Sequence, residues 1–247
     1  MTFLAILLVA YILGAVPWGV IIGRIYGIDI RKIGSGNIGA TNITRVLGLP
    51  TGILVGLLDG FKGSLAISIA VLSFNSHWSI GAVIAATVLG HMYSIFLKGK
   101  GGKGVGTAFG AFLIIVGWKV MLAALFAWMA IVILTQYVSL ASLVVAIIFP
   151  FYFVFLKPDP IYFLISLGII ALIFWAHREN IKRLRANKEL KIDIRVGYKK
   201  PITTAKADKL KLSKIVAVKM NKIEKGRPLK NTLDKAKKIK NLTKLQK

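Results

Sequence analysis

The chain has no cysteine, only three histidines and only nine acidic residues among 247 positions. Without cysteine, a disulfide framework, a thiolate nucleophile and a cysteine-ligated zinc site are excluded. The histidines His77, His91 and His177 lie far apart along the chain. A metal site is therefore not expected, and no cofactor is expected either.

Long polar stretches are also scarce before residue 178. Hydrophobic residues make up 56% of the chain, and apolar runs follow one another closely up to residue 176. Runs of this length predict transmembrane helices, so we expect an all-α integral membrane protein. Seven such runs are visible, at about 2–23, 51–74, 78–97, 105–117, 119–135, 138–156 and 160–176.

Two of these runs need comment. The first has no basic segment before it and extends past Trp18, so we interpret it as a retained span and not as a signal peptide. The run at 105–117 is short and could merge with its neighbour across Gly117, Trp118 and Lys119. Seven spans are the simplest count.

Positive charge is concentrated at the C-terminal end. Of the 34 lysine and arginine residues, 24 lie from residue 178 onward, where only six acidic residues occur. This division predicts a membrane domain at 1–195 and a basic cytoplasmic tail at 196–247, either disordered or amphipathic. The tail would be drawn to anionic lipid headgroups at ~1 kcal/mol per basic residue near the surface. With Tyr198 as its one aromatic residue, it lacks the stacking or folded elements of specific nucleic-acid binding.

Basic residues in short loops predict the orientation, because such loops stay in the cytoplasm. The 24–50 loop holds four of them and the 98–104 loop three, while the 75–77 turn between them has none. An odd number of crossings must then separate residue 105 from the tail, and 72 residues allow three at about 20 per span. We therefore expect the N-terminus outside and the C-terminus in the cytoplasm.

Two glycine-rich stretches then face the cytoplasm together. Residues 34–45 read GSGNIGATNITR and residues 98–104 read KGKGGKG, and both fit the spacing G-x-G-x-x-G. Neither follows a strand in a βαβ unit, so both lack the context of a dinucleotide fingerprint. Glycine-rich backbone still forms anion-binding nests, especially where a loop leads into a helix, as 101–104 leads into the run at 105.

Polar and charged side chains accompany these glycines. Asn37, Thr41 and Asn42 can donate hydrogen bonds, and Arg45 and Lys103 can neutralise phosphate oxygens. The two loops therefore predict a phosphate site. For the 98–104 loop, a second interpretation is equally open: tight interfacial turns with lysines that only set the topology.

A third polar element, HRENIKRL, follows the last apolar run at 177–184. If the helix continues through it, His177 and Asn180 share one face, pointing toward the glycine loops. An imidazole there could act as a general base or phosphate donor, and an amide could orient a hydroxyl. An interfacial cap followed by basic anchors is the alternative interpretation.

Charged residues also occur inside the second apolar run. Asp59 and Lys62 are three residues apart, and charges at such depth are usually paired or functional. We expect a structural ion pair that supports the site. His91, inside the third run, is expected to be a hydrogen-bonded packing residue, and His77 lies on the outer turn, away from the site.

At this point a family resemblance can be stated. The stretches GSGNIGATNITRVLG, GHMYSIFLKGKGGKGVGTAFG and HRENIKRL resemble the three cytoplasmic motifs of the bacterial acyl-phosphate-dependent glycerol-3-phosphate acyltransferases, in order and at family spacing, over residues 1 to about 190. The resemblance implies seven transmembrane helices in a bacterial inner membrane, with the active site at the cytoplasmic face. It also implies acyl transfer from acyl phosphate to the sn-1 hydroxyl of glycerol-3-phosphate, giving lysophosphatidic acid and phosphate.

The resemblance assigns roles by position. Residues that match the acyl-phosphate cradle are Ser35, Gly36, Asn37, Gly39, Ala40, Thr41, Gly101 and Gly102. Residues that match glycerol-3-phosphate contacts are Arg45, Lys103, Ser142, His177 and Asn180. Of these thirteen, Ser35, Arg45, Lys103, His177 and Asn180 are the expected catalytic group. A monomer is expected.

Two positions depart from the family pattern. Ile38 stands in place of the proline usual in the first motif, which should loosen that loop slightly, and Asn187 stands where the third motif commonly has glycine. Neither change removes a charge or a donor. The chemistry also fits the residues present, because acyl phosphate is already activated and needs neither a covalent nucleophile nor a metal.

Two functions of other classes are alternatives to acyl transfer. A transporter for a phosphorylated solute could use broken helices as anion sites, but the polar groups gather at one face and no inverted repeat is evident. A membrane-anchored binding protein acting through its basic tail would leave the three motifs unexplained.

Overall fold

The computed structural model describes residues 2–192, and in that range the chain is helical with no strand. The predicted boundary at 195 and the predicted basic tail lie outside the described residues. The α-helices are α1 Phe3–Ala15, α2 Trp18–Ile25, α3 Ala40–Leu47, α4 Leu49–Ser73, α5 His77–Met92, α6 Val105–Val116, α7 Trp118–Thr135, α8 Val138–Ala146, α9 Ile148–Phe151, α10 Pro160–Ala176 and α11 Arg178–Arg185. Short 3₁₀ turns lie at Ile30–Lys32 and Ile95–Leu97, and a π-helical turn at Tyr152–Leu156 continues α9.

All seven predicted apolar runs are helices, but they differ in length. Between residues 2 and 192, five segments are long and apolar enough to cross a membrane, and α10 with α11 would make a sixth despite a 60° bend between them. Helix α6 has 12 residues, or about 18 Å at 1.5 Å per residue, against a hydrocarbon core of about 30 Å. Several membrane spans are thus clear from length, while the count of seven stays a prediction.

The first span is broken at Pro17, between α1 and α2. Proline has no N–H to donate and its ring clashes with the preceding turn, so nearby carbonyls lose their helical partners. Two other segments supply donors instead: Ser94 Oγ lies 2.6 Å from the Ala15 carbonyl oxygen and Lys62 Nζ lies 2.9 Å from that of Val16. The break is therefore satisfied by tertiary contacts.

Glycines let two helix pairs approach closely. A Cβ on Gly14 of α1 would lie 2.0 Å from a backbone oxygen of α5, and one on Gly90 of α5 would lie 2.2 Å from a backbone oxygen of α1. A Cβ on Gly63 of α4 would lie 2.1 Å from a backbone oxygen of α6, and one on Gly110 of α6 would lie 1.9 Å from a backbone oxygen of α4. Small residues at helix crossings allow this close packing in membranes, so α1, α5, α4 and α6 form a tight unit.

A smaller apolar cluster packs the first glycine loop onto the helices. Its buried members are Val20, Ile30, Ile38, Ile43, Leu47 and Val55. Ile38, which replaces a proline of the family pattern, is 4% exposed within it. A Cβ on Gly19 would lie 1.8 Å from the Ile38 carbonyl oxygen, so α2 contacts the loop backbone directly.

Candidate functional site

Asn42 organises the first glycine loop from within. Its side chain is buried, and Nδ2 donates to the carbonyl oxygens of Ile30, Ile33 and Asn37 at 3.3, 3.0 and 2.9 Å. Its Oδ1 accepts from the Ser35 amide at 2.8 Å. The interpretation of Asn42 as a phosphate donor is therefore corrected, because its amide is used to fold the loop.

The loop ends at the N-terminus of α3. The Gly36 amide donates to the Ile33 carbonyl at 3.1 Å, and Asn37 Oδ1 accepts from the Gly39 amide at 2.9 Å. Helix α3 then begins at Ala40, and the first amides of a helix have no partner inside it. The backbone N–H groups of Ala40 and Thr41 thus have no partner within α3 and could donate to an anion.

The second glycine loop folds back onto the end of α5. The Gly101 amide donates to the Met92 carbonyl at 2.9 Å, and the Gly102 amide donates to the His91 carbonyl at 3.0 Å. These two amides fix the loop in place. Gly104 has a positive φ of 79° and leads into α6 at Val105, so this loop also feeds the N-terminus of a helix, as its sequence predicts.

Both helix starts lie against the same residue of α4. A Cβ on Gly56 would lie 3.5 Å from the Ala40 Cβ, and a Cβ on Gly106 would lie 3.8 Å from the Gly56 carbonyl oxygen. Ala40 and Gly106 are in the first turns of α3 and α6. The first turns of α3 and α6 therefore both pack against Gly56, so the positive ends of two helix dipoles lie beside the same residue of α4.

The third polar element, residues 177–184, does not continue the last apolar helix in a straight line. Helix α10 ends at Ala176, and α11 starts at Arg178 after a 60° turn at His177. The imidazole Nδ1 lies 2.8 Å from the Ile173 carbonyl oxygen, and both His177 and Asn180 are buried. Lys103 Nζ donates to Asn180 Oδ1, so the second glycine loop and α11 are joined directly.

Glu189, to which the sequence predicts no role, joins these polar groups. It is 8% exposed and accepts hydrogen bonds from Ser139 Oγ at 3.0 Å, Asn180 Nδ2 at 2.5 Å and Arg183 Nε at 2.7 Å. The turn before it places Asn187 at φ 54°, a conformation that glycine and asparagine favour. Glu189 is the one acid between residues 180 and 192, in a strongly basic stretch, and this is a signal by which the sequence could have indicated it.

Charges near Glu189 shape the titration of the site. Burial raises the pKa of Glu189, but the hydrogen bonds from Asn180, Arg183 and Ser139 together lower it by more, so the pKa is below its usual value. Burial lowers the pKa of Lys103 to about 8 against the attraction of Glu189, and Arg183 adds to the lowering. Lys103 is thus a cation at neutral pH that can lose its proton at mildly alkaline pH.

His177 is neutral at pH 7. Burial, and then the Lys103 charge, lower its pKa to about 4. Because the Ile173 carbonyl can only accept, Nδ1 of the neutral ring carries the proton and Nε2 has a lone pair. The ring can therefore accept a hydrogen bond or a proton at Nε2.

Arg45 retains an unused donor. Its Nη2 donates to the Leu190 carbonyl oxygen at 2.9 Å, while its Nε is buried with no hydrogen-bond partner among the described residues. Burial lowers the pKa of Arg45 from its usual value. An unsatisfied buried guanidinium nitrogen costs about 1–3 kcal/mol, a cost that a bound anion would remove.

The remaining predicted positions are placed as follows. Ser142 is buried on α8, where its Oγ accepts from Trp128 Nε1 at 3.2 Å, one turn after Ser139. The Asp59–Lys62 ion pair is confirmed, with Nζ 2.9 Å from Oδ1. His77 contacts Asp159 at 2.6 Å, at the start of α10 and away from these groups. Among residues 2–192, no three metal-binding side chains are grouped to hold an ion.

Comparison with known proteins gives one consistent result. The profile of the family described as Glycerol-3-phosphate acyltransferase matches residues 4–187. A glycerol-3-phosphate acyltransferase of Thermus thermophilus is 41% identical over 195 residues, which cover 77% of this chain and 95% of the relative. One of Aquifex aeolicus is 44% identical over 191 residues, covering 76% and 98%.

A solved structure is similar as well. The crystal structure of PlsY, an integral membrane glycerol 3-phosphate acyltransferase, in its glycerol 3-phosphate form superposes with a TM-score of 0.73 at 40% identity. The match covers 77% of this chain and 96% of the crystallised one.

Proposed function

Because this chain belongs to the glycerol-3-phosphate acyltransferase family, we propose that it transfers an acyl group from acyl phosphate to the sn-1 hydroxyl of glycerol-3-phosphate. The products are lysophosphatidic acid and inorganic phosphate. The observation that carries the proposal is the meeting of two glycine-loop helix starts at Gly56, with the nearby cations Arg45 and Lys103. Such an arrangement suits two anionic substrates and needs no covalent intermediate.

The acyl phosphate would lie at the paired helix starts. The amides of Ala40 and Thr41, the Ser35 hydroxyl and the first amides of α6 are donors that suit phosphate oxygens. Gly101 and Gly102 would act by letting the loop pack closely, since their own amides are bonded to α5. Negative charge that develops on the departing phosphate would be stabilised by Lys103.

Glycerol-3-phosphate would lie beside it. Arg45 offers its buried Nε, and Lys103 offers a charge shared with Asn180. Ser142, His177 and Asn180 complete the expected contacts. Glu189 would not touch either anion; it holds Asn180 and Arg183 in place and balances the local positive charge.

The reaction is then a single acyl transfer. The sn-1 oxygen forms a bond with the acyl carbon, and the bond between that carbon and the bridging phosphate oxygen breaks, so the phosphate leaves with the electron pair. The hydroxyl proton passes to His177 Nε2 or to a phosphate oxygen. Positioning of two bound anions supplies most of the rate in such a step.

The membrane arrangement is part of the proposal. Seven transmembrane helices, an outside N-terminus and a cytoplasmic C-terminus would place this site at the cytoplasmic face of a bacterial inner membrane. Loops rich in lysine and arginine support that orientation. We also propose that the chain acts as a monomer.

Phosphate release from palmitoyl phosphate tests the function. We expect purified wild-type protein in detergent to release phosphate only when glycerol-3-phosphate is present. Arg45→Ala should lower kcat/KM by about 100-fold or more, because a buried charged donor to an anion is lost. Arg24→Ala, which removes an exposed arginine of α2, is the matched control and should behave as the wild type.

Two outcomes would contradict the proposal. Folded protein that acylates glycerol-3-phosphate only from an acyl thioester would overturn the choice of donor. Equal losses in Arg45→Ala and Arg24→Ala would show that Arg45 has no special place in the site.

A further inference from the structure

A buried polar cluster lies next to the proposed site without belonging to it. Asp59 and Lys62 on α4, His91 on α5 and Thr107 on α6 are each at most 6% exposed. Charged groups inside a membrane domain are costly and are kept only where they are paired or functional. Three helices thus contribute to one cluster whose use is not explained by the reaction itself.

Lys62 holds one edge of the His91 ring by a hydrogen bond. Its Nζ lies 2.9 Å from each of three partners: the Val16 carbonyl oxygen, Asp59 Oδ1 and His91 Nδ1. An ammonium group has hydrogens but no lone pair, so His91 Nδ1 must accept. The other ring nitrogen, Nε2, lies at the opposite edge.

That opposite edge rests on the second glycine loop. A Cβ on Gly102 would lie 2.1 Å from His91 Nε2 and 3.0 Å from both Cδ2 and Cε1. The φ of Gly102 is not in the left-handed region, so space alone requires glycine there. The Gly102 amide also donates to the His91 carbonyl at 3.0 Å. His91 therefore contacts the loop both through its backbone and through its ring.

We propose that His91 is a positioning residue for the acyl transfer: its ring, held by Lys62, sets the place of Gly102 and thereby of Lys103. The proposal rests on the function proposed above. Lys103 follows Gly102 directly and donates to Asn180, so a shift of the loop would move the ammonium away from α11. Displacements of about 1 Å can cost about 100-fold in rate.

A double-mutant cycle tests direct contact between the ring and the loop. His91→Asn keeps an acceptor for Lys62 close to the position of Nδ1 and removes the far edge of the ring. Gly102→Ala forces a methyl group against that edge. Gly101→Ala is the matched control, because its Cβ would lie 2.0 Å from the His91 carbonyl oxygen, a backbone atom that His91→Asn leaves in place.

The expected results are specific. Gly102→Ala should lower kcat/KM by about 100-fold and raise the KM for glycerol-3-phosphate, since Lys103 is displaced. His91→Asn alone should lower kcat/KM by about 10-fold, and the double variant should be at least about 10-fold more active than Gly102→Ala. Gly101→Ala should stay equally impaired with or without His91→Asn.

Several results would overturn the inference. Suppose that the wild-type protein is active and the double variant is folded. If the double variant is then no more active than Gly102→Ala, a direct contact between the ring and the loop is excluded. Recovery of Gly101→Ala to the same degree would indicate general loosening of the loop. If His91 served folding alone, the variants would show a lower kcat per mole of total protein and an unchanged KM for glycerol-3-phosphate. An inactive wild-type protein would instead remove the proposed function, and this inference with it.

Discussion

Lys103 shows how strongly one residue depends on its surroundings. In the sequence it is one lysine among several in a basic loop, and a role in topology alone was equally open. In the structure it is the lysine of that loop that donates to Asn180, and its burial lowers its pKa to about 8. Lys98 and Lys100, in the same loop, are exposed.

The pH dependence of activity follows from this environment. We expect kcat/KM to fall on the alkaline side with a midpoint near pH 8, because the free enzyme loses the Lys103 charge as the pH rises through its pKa. His177, with a pKa of about 4, stays neutral and should add no step near pH 6.5. Initial rates of phosphate release across this pH range measure the profile.

Glu189 provides the internal check. Its carboxylate raises the pKa of Lys103, so Glu189→Gln should move the alkaline midpoint to lower pH. Glu179→Gln removes an exposed carboxylate from the start of α11, where it pairs with Lys182, and should leave the midpoint unchanged. A midpoint that is the same in all three proteins would mean that Lys103 is not the titrating group.

At the scale of single elements, the break at Pro17 is the feature with the clearest energetic consequence. The Ala15 carbonyl oxygen accepts a hydrogen bond from the buried hydroxyl of Ser94, which follows α5. A buried carbonyl left without a donor costs about 1–3 kcal/mol. Distant segments therefore determine whether α1 and α2 can be broken at this place.

Ser94→Ala should consequently destabilise the protein by about 1–3 kcal/mol. Thermal unfolding in detergent, followed by circular dichroism, measures the shift in midpoint. Ser73→Ala removes an exposed hydroxyl at the end of α4 and should change stability by no more than about 0.5 kcal/mol. Equal midpoints for the two variants would show that the Ser94 hydrogen bond is not needed at the break.

The helices themselves were largely predictable from the sequence, but their bends were not. Each apolar run is helical, and the Asp59–Lys62 pair was recognised from its spacing. The bend at His177 was missed because the residues on either side of it suit a helix equally well. In the bent arrangement α11 contacts α8, and Asn180 accepts a hydrogen bond from Lys103, and neither contact is local in the sequence.

For the whole molecule, the number and direction of the membrane crossings can be measured with single cysteines, since the chain has none of its own. Asn75→Cys and Lys119→Cys should react with a membrane-impermeant maleimide added outside, whereas Lys100→Cys should react only after the membrane is opened. All three positions are exposed. Lys119 decides whether the 12-residue α6 crosses.

Protection of Lys119→Cys in intact cells would contradict seven spans, because α6 would then return to the side from which it started. Reaction of Lys100→Cys from outside would reverse the whole orientation. Each variant should keep the phosphate-release activity of the wild type, which shows that its labelling reports the native arrangement.

From the sequence alone, a helical membrane protein is predicted correctly, and three polar segments are predicted to form its site. Apolar length and the placement of charge act locally along the chain, so both can be read without a structure. The contacts that Asn42, Glu189 and His91 make are visible only in the tertiary structure. Each of these side chains contacts a segment that is not adjacent to it in the sequence. Such contacts form only after the helices have packed.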